Sequence, residues 1–203
     1  MNVQLKLLVA ALAFGGSVSV ASAAGVITSV TVDGGGGGAF EIEGLSDDSR
    51  ALDLSKTFNN LDPIVLTFTV AHSQGPGNPY VFTESITNST GFNWLDYHFT
   101  ITEPTTGGQG VVFTGSNNST LSGFTLDSSS GPRSLDFTGG LAHEGVATAS
   151  FFLHPFDPGA GNTATFTLTQ VATIPEPETY AMLLAGLGLM GFMVRRRSGN
   201  ENS

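Results

Sequence analysis

Ile64-Val65-Leu66-Thr67-Phe68-Thr69-Val70-Ala71 is the stretch that decides the fold class. Ile64, Leu66, Phe68 and Val70 alternate with Val65, Thr67, Thr69 and Ala71, so the larger apolar groups fall on one side of the chain. A period of two belongs to an extended strand, in which successive side chains point to opposite faces. The β-branched residues that fill the stretch suit a pleated, half-buried surface. It predicts a β-strand with one face in a core.

The same pattern recurs on both sides. In Tyr97-His98-Phe99-Thr100-Ile101-Thr102 the residues Tyr97, Phe99 and Ile101 would face inward, and near the end Ala164, Phe166 and Leu168 alternate with Thr165, Thr167 and Thr169. Further strands are expected at residues 26–32, 39–43, 80–87, 111–114, 121–126 and 146–154. Turn residues separate them: Gly75-Pro76-Gly77-Asn78-Pro79, Gly107-Gly108, Ser130-Gly131-Pro132 and Asp157-Pro158-Gly159. Short strands at this spacing predict an all-β domain at residues 25–173, an antiparallel β-sandwich with a jelly-roll-like arrangement as the alternative. No helix of ordinary length is expected outside the two ends.

Composition supports that class and excludes others. The chain has 203 residues, 27 of them Gly and 15 Phe, with a formal net charge of −10. From Gly25 to Ile174 only Arg50, Lys56 and Arg133 are basic, against fourteen Asp and Glu. Nucleic acid is therefore excluded as a partner, because neutralising phosphates requires clustered Lys and Arg. There is no cysteine, so disulfides, thiol catalysis and thiolate-bound metals are excluded together.

Both ends read as targeting segments rather than fold. The N-terminus carries Lys6, an apolar stretch at residues 7–14, and small residues ending in Ala21-Ser22-Ala23. That is the plan of a secretory signal peptide at residues 1–23, with Ala21 and Ala23 as the small residues that flank cleavage. The apolar stretch is far short of the ~20 residues a membrane span needs.

Residues 174–203 read IPEPETYAMLLAGLGLMGFMVRRRSGNENS. Pro175-Glu176-Pro177, an apolar helix expected at 180–194, and Arg195, Arg196 and Arg197 follow in that order. This tail resembles the PEP-CTERM sorting signal of exported proteins of Gram-negative bacteria. Proline fixes φ and restricts the residue before it, so the Pro-Glu-Pro motif is expected to be extended and to stay out of both the domain and the helix. The arginines would act as a membrane stop on the cytoplasmic side of a single transmembrane helix. Fifteen apolar residues rise only ~22 Å, against a hydrocarbon core of about 30 Å, so the span is short unless arginines snorkel and the bilayer thins.

The resemblance implies an exosortase as partner, a membrane-embedded enzyme with its own cysteine nucleophile. It also implies transient anchoring in the inner membrane, then release of the helix and transfer to the cell surface or extracellular space. Such proteins are typical of bacteria that build polysaccharide biofilm matrix. A structural matrix role is the expectation that follows, and a carbohydrate- or calcium-dependent binding module is the alternative.

The stretch from Asn88 to Phe99 also resembles a segment recurring in the exported domains of PEP-CTERM proteins. Its polar turn, Asn88 to Gly91, would deliver the lone Trp94 into the core. On the alternative reading Trp94, Asp96 and His98 share one strand face, where an aromatic ring could stack on extracellular polysaccharide beside hydrogen-bonding groups.

No catalytic constellation stands in the sequence. His72, His98, His143 and His154 lack site-building spacing, His143-Glu144 is not followed by a second metal-binding histidine, and no GxSxG elbow occurs. The chain is expected not to be an enzyme and to need no cofactor. Gly34 to Gly38 lack the Lys and Ser or Thr of a phosphate loop and read as a flexible turn. Asp33, Asp47, Asp48 and Asp157 could offer oxygens to calcium, but without an EF-hand or repeat pattern surface solvation is the simpler account. Asn88, Asn117 and Asn118 begin glycosylation sequons, a short pattern that arises readily in a chain rich in Asn, Ser and Thr.

Overall fold

The computed structural model describes residues 25–32, 38–46, 50–75, 77–102, 110–174 and 177–198. The signal-peptide residues, Asp33, Gly34 to Gly37, Asp47, Asp48, Pro175 and Glu176 lie outside the described residues. In chain order the elements are β1 (Val26–Val32), β2 (Gly38–Ser46), β3 (Ala51–Phe58), β4 (Ile64–Ala71), β5 (Tyr80–Asn88) and β6 (Trp94–Thr102). Then come β7 (Val112–Thr114), β8 (Thr120–Leu121), β9 (Phe124–Leu126), β10 (Ser134–Leu141), β11 (Val146–His154), β12 (Thr163–Thr173) and the helix α1 (Pro177–Ser198).

The strands form two sheets. One has the order β1-β4-β12-β6-β10-β9, the other β2-β3-β5-β11-β7 with β8 also on β11. The pattern of β4 is realised as read: Ile64, Leu66, Phe68 and Val70 are buried and the residues between them are half-buried. Among the described residues pairing is antiparallel except between β3 and β5, which run parallel with Leu54 beside Glu84 and Lys56 beside Ile86. Parallel neighbours cannot be joined by a tight turn. Here β4, in the opposite sheet, serves as the crossover, which corrects the expectation of a wholly antiparallel sandwich.

The core fills the space between the sheets with interlocking rings. Phe68 stacks on Phe166 at 4.7 Å within one sheet, and Phe82 on Phe151 at 5.1 Å within the other. Phe68 meets Phe82 at 5.8 Å and Phe99 meets Phe151 at 5.0 Å, so the two layers interdigitate. Burying each such side chain contributes about 1.5–3 kcal/mol.

Sequence reading passes over two strands and merges two others. β3 carries Asp53 and Lys56, and β10 carries Asp136 and the pair Gly139-Gly140, residues that blunt an apolar alternation. The expected strand at 121–126 is two short strands divided at Gly123, whose φ of 85° requires glycine. A Cβ there would also sit 2.9 Å from the Gly140 carbonyl oxygen. At this turn the chain passes between sheets, β8 pairing with β11 and β9 with β10.

The helix α1 differs from expectation in two respects. It begins at Pro177, so that proline joins the helix instead of staying outside it. A fixed φ near −65° and a missing N–H suit proline to the first helical position. Among the described residues no helix is long and apolar enough to cross a membrane, which corrects the expected transmembrane helix. Length is the reason: the apolar run at 180–194 falls short of the ~20 residues needed. Its described side chains, Met182, Leu184 and Met190 among them, are exposed rather than packed on the sandwich.

Candidate functional site

The turn between β5 and β6 is held by one buried side chain. Asn88 Nδ2 donates to the carbonyls of Phe92 at 2.8 Å, Leu141 at 3.1 Å and Ala142 at 3.1 Å, while its Oδ1 accepts from the Thr90 amide at 3.1 Å and hydroxyl at 2.8 Å. This knot feeds Trp94 inward. Its indole N–H donates to Thr90 Oγ1 at 3.1 Å, and its ring lies edge-on to Phe58 at 5.2 Å. Trp94 is 1% exposed.

Asp96 and His98 point the other way. Strand alternation breaks beside Trp94, where the β6–β10 register shifts between Thr138 and Leu141. His98 Nδ1 pairs with Asp136 Oδ1 at 2.8 Å, and Asp96 Oδ2 accepts from the Thr173 hydroxyl at 3.3 Å. With Asp127, Ser129 and Thr138 these groups line an open surface cleft. The Ser129 backbone N–H, 2.8 Å from Asp127, holds that carboxyl below its usual range. The structure thus brings Asp96 and His98 together and separates both from the Trp94 ring.

Of the carboxylates suggested for calcium, Asp157 lies among the described residues. Asp157 takes His72 Nδ1 at 2.9 Å and the Gly159 N–H at 2.8 Å. Desolvation pushes its carboxyl up, and these hydrogen bonds outweigh that and leave it below the usual range. Among the described residues no group of three or more His, Asp or Glu is arranged to hold a metal ion.

A polar constellation that sequence reading missed lies in the core. Lys56 of β3 and Glu84 of β5 form an ion pair with no exposed side-chain surface, Nζ to Oε2 2.5 Å. Gln170 Nε2 of β12 donates to Glu84 Oε1 at 3.1 Å, and the Tyr97 hydroxyl of β6 donates to Gln170 Oε1 at 2.7 Å. The chain of contacts crosses from one sheet to the other. Parity was the signal: Lys56 stands in step with Leu52, Leu54 and Phe58, Glu84 with Phe82 and Ile86, and Gln170 with Phe166 and Leu168.

The remaining sequence-derived residues lie at the C-terminus. β12, an interior strand, ends at Thr173, and α1 opens four residues later at Pro177. Arg195, Arg196 and Arg197 fall in the last turns of α1. Residues 173–197 match the family model of the PEP-CTERM protein-sorting motif. The chain carries a PEP-CTERM sorting motif. The match marks it as an exosortase substrate, an exported protein sorted to the cell surface. The PEP-CTERM segment thus follows directly on an interior strand of the sandwich. No curated protein matches the chain, and neither does any solved structure.

Proposed function

We propose that this protein is a non-catalytic structural component of the cell surface or biofilm matrix, delivered by its C-terminal tail and acting through the closed β-sandwich. The supporting observation is the sorting motif at residues 173–197, attached without a long linker to β12. A signal peptide cleaved after Ala23 carries the chain through the inner membrane. The C-terminal tail then keeps it transiently associated with that membrane. Exosortase recognises Pro175-Glu176-Pro177 and releases the domain outward.

The carbohydrate-binding alternative has less support, since Asp96 and His98 lack a neighbouring Trp94 face on which a sugar could stack. Mass spectrometry of the protein from cells with and without exosortase tests the reading. Loss of the tail only where exosortase is present is the expected result, together with co-fractionation with extracellular polysaccharide. An intact tail in both strains overturns it.

A further inference from the structure

Lys56 and Glu84 bring an amine and a carboxylate into contact where water does not reach, with no exposed surface on either side chain. The two carboxylate oxygens are set up differently. Oε2 faces Lys56 Nζ, whereas Oε1 receives the Gln170 amide N–H, whose orientation is fixed in turn by the Tyr97 hydroxyl on Gln170 Oε1. Nucleophile, electrophilic carbon and a donor to the developing oxyanion are thus supplied by three neighbouring strands. Such preorganised donors are most effective in a dry, low-dielectric site.

We propose that Lys56 and Glu84 condense into an intramolecular isopeptide bond once the sandwich has closed around them. Burial pushes the Lys56 amine below its usual range, against the opposing pull of Glu84, and so favours the neutral, nucleophilic form. Nζ adds to Cδ of Glu84, and the charge that develops on Oε1 is held by the Gln170 N–H. Oε2 takes two of the three ammonium protons and leaves as water, and the third proton stays on the new amide nitrogen. The step is redox-neutral and needs no cofactor or added reactant. Its product ties β3 covalently to β5, its parallel neighbour. Replacing the charged pair with a neutral amide also removes two buried charges from the core.

Trypsin reads the bond directly. Between residues 50 and 133 the cleavable residues are Arg50, Lys56 and Arg133. The folded full-length chain, purified, denatured and digested, is expected to give an undivided peptide 51–133 that is one water lighter than its sequence. Separate peptides 51–56 and 57–133 at full mass overturn the proposal. A product coupling 51–133 to 134–195 with loss of ammonia overturns it too, because that places the bond at Gln170. Chain recovered unfolded from inclusion bodies and kept in denaturant is expected to cleave at Lys56 until it is refolded, and a bond present in that never-folded chain contradicts the mechanism. Gln170→Ala, with its fold checked by circular dichroism, is expected to slow bond formation by roughly tenfold or more. An unchanged rate in that folded variant removes the oxyanion role.

Discussion

The Tyr97 hydroxyl donates to Gln170 Oε1 at 2.7 Å, and both side chains are sealed from solvent. Because Gln170 also donates to Glu84, this single contact anchors the sheet-to-sheet polar chain at its β6 end. Tyr97→Phe keeps the ring among Phe58, Trp94 and Phe99 but leaves Gln170 Oε1 without that donor. An unsatisfied buried acceptor costs about 1–3 kcal/mol. Urea unfolding should show a lower midpoint with an unchanged slope. A midpoint equal to that of the wild type would sink this account of the contact.

Tyr97 also sets an alkaline limit. Burial chiefly pushes its hydroxyl well above the usual tyrosine range, and the negative charge of Glu84 adds to this as long as that carboxylate is free. The unfolded chain releases this proton near pH ~10 while the folded chain keeps it. Above that pH the unfolded state therefore binds fewer protons, and stability falls as pH rises; below it the contribution is complete. Thermal midpoints measured from neutral pH upward should decline more steeply for wild type than for Tyr97→Phe. Parallel declines would show that Tyr97 is not the responsible group.

Asn88 is the first residue of a glycosylation sequon, yet it is fully buried and all its polar atoms are engaged. Asn88→Ala should therefore act on stability rather than on modification, removing the side-chain donor to the Leu141 carbonyl and the acceptor of the Thr90 amide. A loss of about 1–3 kcal/mol is expected in denaturant unfolding. Glycopeptide mapping should find position 88 of the secreted protein bare. Either a glycan there or a variant of wild-type stability would contradict the geometry.

Apolar alternation made the sandwich legible, because β4, β6 from Tyr97 onward and β12 from Phe166 onward bury every second residue and a period of two has one structural meaning. The sorting tail was legible for another reason, its ordered chemistry being local in sequence. Lys56, Glu84 and Gln170 were not, although each stands at an inward position. A charged residue on an otherwise apolar face looks like the end of a strand until its partner is known, and Glu84 lies 28 residues from Lys56. Trp94 shows the converse limit. Strict alternation would align it with Asp96 and His98, but the register shift beside it turns the ring inward, and no single-strand pattern reveals a shift defined by the neighbouring strand.

The junction at Pro177 makes the last prediction. β12 ends at Thr173 and α1 starts at Pro177, so the chain must pass from an interior strand to a helix within a few residues. Proline at the first helical position lacks the N–H that would extend the helix toward the strand, and it biases the residue before it away from helical angles. Replacing Pro175, Glu176 and Pro177 with alanine removes both restraints and lets helical structure propagate back through a strongly helix-favouring sequence. The sandwich itself should be untouched, because its described core ends with Ala172 and the flanking Ile174. The expected outcome is a folded domain that keeps its tail and stays with the membrane fraction in cells that process the wild type. Normal tail removal from the triple variant would mean that the enzyme reads the helix or the arginines and not the Pro-Glu-Pro motif.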